Sequence, residues 1–411
     1  MSQSSPSIEC RAGWIVAIVS MLIMGIGFGT PYVVVVAMKP IAAETGSRAV
    51  PSLANALAYF GAGVGGIFAG WIADRIGVIV PALFGAVMVG AGAMVASGGS
   101  EWQLYVGHGL MIGLLGNAAM FAPLMANVSR WFDRNRGAAL ALVATGQQLA
   151  GAIWPPLFRY TTDLMGWRDT LFWAGIAALA TMVPLSLLLH RPPSLTAERQ
   201  AAATMRDSRV LGWPANLVQA LICLAIVCCC VAMAMPMSHV VAFCSDLGFT
   251  AARGAEMLSL LLFCAFLSRM LWGRLSDKVG GLTTVLLSSA AQATFLALYL
   301  AADSLVGLYV VSAAFGFGFG GIVPSFLLSI RELFPEREAG WRMGAVVLGG
   351  LCGMALGSWL GGYVYDLTAS YQPAFLAGVL FNLVNLVLVG TLVLRGSSRA
   401  RLTPSLATSP R

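Results

Sequence analysis

Residues 70–77 read GWIADRIG, and residues 273–280, about half the chain further on, read GRLSDKVG. Both octapeptides fit one pattern, Gly-x-(Ile/Leu)-(Ala/Ser)-Asp-(Arg/Lys)-(Ile/Val)-Gly, and each follows directly on an apolar run. A second pair of segments agrees, because RWFD at 130–133 and RELF at 331–334 also follow apolar runs. The sequence is therefore a repeat of two similar halves.

The composition indicates a membrane protein. The 411 residues are 58% hydrophobic and only 10% charged, whereas a soluble protein is about one quarter charged. Apolar runs of about 20 residues, the length that crosses a bilayer, recur through most of the chain. We expect an all-α protein of twelve transmembrane helices in two pseudo-symmetric six-helix bundles, an arrangement common among secondary transporters. The predicted spans are residues 13–38, 51–73, 78–98, 102–128, 137–160, 170–190, 211–242, 253–273, 281–301, 305–331, 341–365 and 373–394.

Polar segments divide the chain into four parts. Residues 1–190 form the predicted N-terminal bundle and residues 211–395 the C-terminal bundle. Between them, residues 191–210 are charged and proline-containing, which favours a cytoplasmic linker. Residues 396–411 are basic and rich in Ser and Pro, so we expect a disordered cytoplasmic tail.

The net charge of +7 is best interpreted as a topology signal. Most loop arginines and lysines fall on the side of the two termini, and positively charged loops stay in the cytoplasm. Both termini are therefore predicted to be cytoplasmic, with the protein in the inner (plasma) membrane. The lipid bilayer is the expected partner, and no nucleic acid is expected. The basic residues that fall on the opposite side are Lys39, Arg48, Arg159, Arg168 and Arg253.

These features resemble the major facilitator superfamily, whose G-x-x-x-D-R-x-G signature matches residues 70–77 and recurs in the second half. Within it, the chain resembles the monocarboxylate transporter family and its bacterial relatives, including the oxalate/formate antiporter group. The segments that carry the finer resemblance are GW at 13–14, WFDRNRG at 131–137 with Gly146, Gly151 and Pro155 after it, GWR at 166–168, and SRMLWG at 268–273.

The resemblance implies a secondary active transporter of small monocarboxylates such as lactate or pyruvate. It would work by alternating access, coupled to a proton, with no cofactor, and a monomer would suffice although the oligomeric state stays open. An exchanger of carboxylate anions is the first alternative. An efflux pump for hydrophobic compounds is the second, although the acidic cavity residue that would meet cationic drugs is not evident.

An enzyme is not expected. The histidines are scattered, no His/Glu spacing typical of a metal site occurs, and no P-loop is present. We therefore predict neither catalytic nor metal-binding residues.

Arg269 is the one basic residue that lies within a predicted span, away from its ends. An arginine at the centre of an isolated membrane helix costs roughly 2.5–3.5 kcal/mol on insertion scales, and it usually faces a cavity with an anionic partner. No acidic residue is available in the spans, so the substrate carboxylate is the predicted partner, matched by the planar guanidinium fork. The resemblance implies the same, since a helix 8 arginine four residues before the glycine binds the carboxylate there. The alternative is that Arg269 reaches the interface or loop acids.

Two positions depart from the animal members of the resembled family. Those proteins have an aspartate one turn before the arginine, where this chain has Ala265, and a lysine in helix 1, where this chain has Tyr32. Both residues are linked to proton coupling in that branch. The same coupling route is therefore in doubt.

Other polar or aromatic residues in the spans are candidates for the substrate cavity, each with core packing as the alternative. Tyr32 could donate a hydrogen bond, Phe319 could act as an aromatic gate, and His239 could titrate near neutral pH as a proton relay. His108 is a weaker candidate, and Asn382 and Asn385 are better explained as contacts between helices. The remaining cavity candidates are Asn117, Phe121 and either Gln147 or its neighbour Gln148.

The repeated signature loops are candidates for conformational gating. A short glycine-bounded turn can place an aspartate near a helix N-terminus and a basic residue near a carboxylate, and such contacts can hold one face closed. The alternative is a solvated loop that sets topology. The gating candidates are Asp74, Arg75, Asp277 and Lys278.

Overall fold

The computed structural model describes residues 9–132, 135–190 and 209–402, which are almost entirely helical. The first half contains α1 (Arg11–Gly27), α2 (Tyr32–Val36), α3 (Met38–Thr45), α4 (Ala49–Ile76), α5 (Ile79–Ala96), α6 (Glu101–Tyr105), a π-helical segment (Val106–Asn117), α7 (Ala118–Ser129) and α8 (Arg136–Leu187). A two-residue hairpin, β1 (Arg209–Val210) and β2 (Trp213–Pro214), opens the second half. The second half continues with α9 (Ala215–Asp246), α10 (Ala251–Val279), α11 (Gly281–Leu298), α12 (Leu305–Phe319), α13 (Ile322–Leu333), α14 (Glu336–Thr368) and α15 (Gln372–Leu402).

The described residues contain eleven helical segments that are long and apolar enough to cross a membrane. One of them, Ala138–Leu187, is 50 residues long and contains two spans. Inside it, Gly166 has φ 83° and ψ 164°, a conformation open to glycine but not to other residues, so the helix breaks there. The prediction of twelve spans is thereby confirmed.

The predicted tail differs in part from the structure, and much of the predicted linker lies outside the described residues. Helix α15 continues to Leu402, so residues 396–402 are helical where the sequence predicts disorder. The rest of the predicted tail and residues 191–208 of the predicted linker lie outside the described residues.

Most of each half packs into its own hydrophobic core, and the two halves have matching geometry. Buried residues of the first half, such as Ile23 and Leu171, form one cluster, and those of the second, such as Ile222 and Phe315, form another. The signature octapeptides end alike, because Gly77 has φ 88° and the corresponding Gly280 has φ 84°. Only glycine adopts this conformation readily. The sequence repeat is thus a structural repeat.

Both described chain ends lie on one face of the bundle, here called the terminus side, and the opposite face is called the far side. Helices α4 and α14 pack tightly at the far side. If Gly362 carried a Cβ atom, that atom would lie only 2.2 Å from the Ser52 hydroxyl, so there is no room for a side chain. Further along, a Cβ on Gly63 would lie 3.0 Å from Leu348. Beyond Gly63 the helices diverge, since added Cβ atoms would meet nothing within 4 Å at Gly66, Gly70, Gly340 and Gly344.

The halves therefore meet at the far side and separate toward the terminus side. The space between them is called the terminus-side opening. Two helices next to it are interrupted: residues 28–31 separate α1 from α2, and Gly320 and Gly321 separate α12 from α13. Discontinuous helices near the midplane are a common feature of transporter binding sites.

Candidate functional site

Arg269 lies where α8 and α10 part at the terminus-side opening. A Cβ on Gly151 of α8 would lie 2.2 Å from Leu262 of α10, so the two helices touch at this level. Arg269 follows Leu262 by seven residues, which places it two turns nearer the terminus side on the same face of the helix. A Cβ on Gly273, one turn further, would meet nothing within 4 Å. The guanidinium is thus carried by the face of α10 that borders the opening.

The Arg269 side chain is partly buried, and no carboxylate of a described residue forms an ion pair with it. Its one hydrogen bond within the described chain runs from Nε to the carbonyl oxygen of Gly320, at 3.4 Å. That distance is at the long end of the hydrogen-bonding range. The two Nη groups therefore keep their donors for another partner.

The Gly320 carbonyl is available because α12 ends there. The last carbonyls of a helix have no partner within the helix, and two side chains of α10 donate to this end of α12. Arg269 donates to Gly320, and the indole nitrogen of Trp272 donates to the Phe317 carbonyl at 2.8 Å. Gly321 permits this approach, since a Cβ there would lie 2.2 Å from the Cβ of Trp272.

Tyr32 lies at the junction of the halves. It is the first residue of α2, after the interruption that follows α1. A Cβ on Gly151 would lie 2.7 Å from its hydroxyl, on the side where Gly151 also meets Leu262. The neighbouring interruption is held by Trp154, whose indole donates to the Gly25 carbonyl at 2.8 Å. The Tyr32 hydroxyl thus lies at the level of Leu262, two helical turns along α10 from Arg269.

Gln147 and Gln148 precede Gly151 by about one turn on α8, toward the terminus side. Both side chains are half-buried, and neither forms a hydrogen bond within the described part of the chain. Helices α8 and α10 run antiparallel, so this turn lies across from the stretch of α10 between Leu262 and Arg269. The position agrees with a cavity-lining role, which stays a prediction.

The side chains of Asn117, Phe121 and Phe319 contact other residues of their own half. Asn117 is buried in the first half, with its side-chain oxygen 3.2 Å from where a Cβ on Gly27 would be. The Phe121 ring is half-buried and packs edge-to-face on Phe28, with centroids 6.1 Å apart, beside the interruption after α1. Phe319 is buried in the second core, 5.5 Å from the Phe315 ring. For Asn117 and Phe319 these positions support core packing, the alternative to cavity lining.

His239 is buried between α9 and α14 near the far side. Its side chain is completely buried in α9, and its Nε2 lies 2.8 Å from the Ser358 carbonyl of α14. The ring lies 5.2 Å from that of Tyr371, and Nδ1 has no hydrogen-bond partner among the described residues. In this conformation His239 is therefore enclosed on the far side and separate from the Arg269 region.

The far side also carries charged contacts between the halves. The Arg48 guanidinium donates to both carboxylate oxygens of Asp246, with 2.7 Å between Nη2 and Oδ1. Lys39 reaches the same carboxylate at 2.9 Å. The Arg48 guanidinium also stacks 3.6 Å from the Tyr365 ring centre, and its backbone N–H donates to Asp366 at 2.9 Å.

An uncharged contact lies next to this charged group. The Asn55 amide donates to Ser238 at 3.2 Å and to Ser358 at 3.0 Å, joining α4 to α9 and α14. This closure is not predicted from the sequence, in which Arg48 and Lys39 are interpreted as topology markers only. Their presence on the side where basic residues are scarce was the one available signal, but nothing in the spacing identified their partners.

The signature loops show fewer contacts than the gating prediction requires. Arg75 is exposed, with its guanidinium 3.8 Å from the Trp71 ring centre, while the side chain of Asp74 lies outside the description. Asp277 and Lys278 are exposed and form no ion pair with a described residue. The gating role of all four stays a prediction.

The repeated segment at 331–334 contacts the start of α11, a role that the sequence does not predict. Glu332 accepts a hydrogen bond from the backbone N–H of Gly281 at 2.9 Å, directly after the second signature. This carboxylate satisfies a free N–H at the start of α11, where a negative charge is favoured.

The remaining polar candidates lie within the halves. Asn382 donates to the Ser289 carbonyl at 3.0 Å, and Asn385 donates to Asn382 at 2.9 Å. Both are buried between α15 and α11, in agreement with the predicted role in helix contacts. His108 is buried in the π-helical segment of the first half.

Comparison with known proteins supports the fold and the kind of protein. The family described as "Major Facilitator Superfamily" matches residues 13–291 and, in a second overlapping match, residues 220–409. Monocarboxylate transporter 13 from Bos taurus is 28% identical over 388 residues, which cover 90% of this chain and 87% of that protein. The MFS-type transporter pynF from Aspergillus niger is 24% identical over 301 residues, covering 71% and 67%.

Solved structures of other transporters have the same fold as this chain. A bacterial homologue of the human lysosomal transporter Spinster, in an inward-facing and unoccupied conformation, matches with a TM-score of 0.73 at 14% identity, covering 97% of this chain and 99% of that one. A POT family transporter in complex with 5-aminolevulinic acid matches with a TM-score of 0.69 at 13% identity, covering 94% and 96%. At such identities the likeness shows the fold alone.

Proposed function

This multi-span membrane transporter belongs to the major facilitator superfamily, and we propose that its substrates are small organic monocarboxylates bound through Arg269. The observation that carries the proposal is a partly buried guanidinium at the terminus-side opening whose only hydrogen bond in the described chain is one long contact to the Gly320 carbonyl. Such a charge in a membrane needs an anionic partner. A substrate carboxylate supplies one and fits the free Nη pair in a two-point contact.

Two further observations support the substrate class. Tyr32 and the Gln147–Gln148 turn border the same α8–α10 contact and could bind the rest of a small polar acid. The name of the Bos taurus relative, a monocarboxylate transporter, points to the same chemistry.

The transport cycle we propose is alternating access. The present conformation is closed at the far side by Arg48 and Asp246 and open at the terminus side. With positively charged loops in the cytoplasm, we infer that the terminus side is cytoplasmic, so that this conformation would be the inward-open state in the inner membrane. Coupling to a proton is our first proposal, and exchange against a second carboxylate is the alternative.

The experiment is uptake of labelled lactate, pyruvate and related acids into proteoliposomes. Arg269→Lys keeps the charge but removes the planar fork, so the variant should insert normally and transport less than about one tenth as fast, a loss of at least one strong hydrogen bond. The matched control is Arg253→Lys on the same helix, because Arg253 pairs with Glu256 on the exposed far-side surface. Near-normal uptake by Arg269→Lys would remove this residue from the site.

A further inference from the structure

We propose that Trp272 is a positioning residue for the carboxylate site: its indole holds the interruption between α12 and α13 so that the Gly320 carbonyl orients the Arg269 guanidinium. The inference rests on the proposed function and adds a residue that does not itself contact substrate. It starts from the two hydrogen bonds that α10 donates to the end of α12.

Trp272 contacts the interruption between α12 and α13 at two points. Its indole nitrogen donates to the Phe317 carbonyl at 2.8 Å, a well-formed bond. A Cβ atom added to Gly321 would lie only 2.2 Å from the Trp272 Cβ, so the base of the Trp272 side chain packs directly on the interruption. Trp272 thus contacts residues on both sides of Gly320.

The same interruption carries the hydrogen-bond acceptor of Arg269. Trp272 and Arg269 are neighbours one turn apart on α10, and the bond from Arg269 Nε to the Gly320 carbonyl is weak at 3.4 Å. A weak bond orients its donor only if the acceptor is itself held. Gly320 itself lies against the Ala265 carbonyl of α10, from which a Cβ on Gly320 would be 2.4 Å away. The Trp272 bond and the Gly321 contact add to this by holding the chain on both sides of the acceptor.

The orientation of the Arg269 guanidinium decides how a substrate carboxylate can bind. With Nε engaged by Gly320, the guanidinium presents its two Nη groups, which suit one carboxylate in an end-on, two-point contact. A binding site must be held to about half an ångström for such a contact to form well. Loosening the interruption should therefore weaken carboxylate binding while leaving the route through the protein intact.

The test is Trp272→Phe, which removes the indole N–H and keeps an aromatic ring. We expect KM for the monocarboxylate to rise about three- to tenfold, the effect of one lost hydrogen bond, with a smaller change in maximal rate. The matched control is Trp173→Phe, because Trp173 is exposed on the outside of α8. In an Arg269→Lys background, Trp272→Phe should raise KM no further, since a positioning residue acts only through the residue that it positions.

The outcomes separate the two proposals. If the wild type carries no monocarboxylate, the proposed function fails and this inference with it. If wild type and Arg269→Lys behave as expected but Trp272→Phe leaves KM unchanged, or adds its full effect to Arg269→Lys, this inference alone is overturned. Gly321→Ala provides a second route should Trp272→Phe fold poorly, because its methyl group displaces Trp272 and should raise KM in the same way.

Discussion

Arg48 and Asp246 lie in different halves of the chain, and the guanidinium of Arg48 spans both carboxylate oxygens of Asp246, with 2.7 Å between Nη2 and Oδ1. Arg48 sits at the start of α4 and Asp246 at the end of α9, so the pair ties the far-side ends of these helices together. The Arg48 side chain is only 11% exposed and that of Asp246 is 22% exposed. To open the far side, the protein must break this contact.

Asp246→Asn should therefore shift the conformational equilibrium toward far-side opening. The contact is partly buried, so its loss should cost the closed state about 1–3 kcal/mol, between the values for exposed and buried pairs. Amide hydrogen exchange should rise in residues 48–55 and 238–246. Asp163→Asn is the control, because Asp163 pairs with Arg159 within one half. Unchanged exchange at the far side in Asp246→Asn would show that the pair does not hold it closed.

Gly66→Leu should trap the present conformation. Gly66 follows Gly63 by one turn on the face of α4 that packs on α14, yet a Cβ there meets nothing within 4 Å. A leucine fits this open space but would occupy the gap when α4 and α14 approach during closure of the terminus side. Transport should fall at least tenfold, the effect of about 1.4 kcal/mol against the closed state, with carboxylate binding retained.

The control for that variant is Gly390→Leu on α15, where a Cβ would have only Leu286 near it, at 3.9 Å. It adds the same bulk away from the contact between the halves. Normal transport by Gly66→Leu would mean that α4 and α14 do not approach each other at this level.

The fold could be predicted from the sequence because its determinants are local. Runs of apolar residues specify spans, and the glycines that end the two signatures, Gly77 and Gly280, adopt matching left-handed conformations. Arg269 could also be identified locally, since a lone charge within an apolar run has few explanations. These features depend on residues close together in the chain.

The parts that could not be predicted depend on contacts between distant segments. Nothing near Arg48 in the sequence points to Asp246, which lies in the other half. Phe319, predicted as an aromatic gate from its place before two glycines, is buried in this conformation with its ring 5.5 Å from that of Phe315, and its gating role stays a prediction. Consecutive residues of a helix point in directions about 100° apart. A span that is apolar on all sides does not specify which of its residues face a cavity and which face the core.

The Gly166-Trp167-Arg168 segment acts within the first half. The Trp167 indole donates to Glu44 at 2.9 Å, and Arg168 donates to the other oxygen of the same carboxylate at 2.7 Å. The bond from Arg168 lowers the pKa of Glu44 from its ordinary value near 4.5. The charged form is thus stabilised by folding, and this contribution is present at neutral pH and is lost as the pH falls through the lowered pKa.

Glu44→Gln should accordingly reduce the free energy of unfolding by less than about 1 kcal/mol at pH 7, because both charges are nearly half exposed. The difference from wild type should shrink below pH 4.5. Thermal unfolding in detergent across this range measures it, with Asp169→Asn as the control, an exposed carboxylate with no ion pair in the described chain. A difference that grows in acid would contradict the assigned role.

Transport should be coupled to protons, although no described carboxylate pairs with Arg269. Without a substrate anion, Arg269 keeps an uncompensated charge beside the opening, which slows reorientation of the empty carrier. A symporter must still make this slow step to complete its cycle, whereas an exchanger never makes it, so the return of the empty carrier separates the two schemes. His239 has no solvent contact in this conformation, and its Nε2 lies 2.8 Å from the Ser358 carbonyl, so it could exchange a proton only when the far side opens.

Proteoliposomes loaded with buffer alone, under an inward proton gradient, should accumulate the labelled acid above equilibrium. If uptake appears only after a second carboxylate has been loaded inside, the protein is an anion exchanger, and proton symport is wrong.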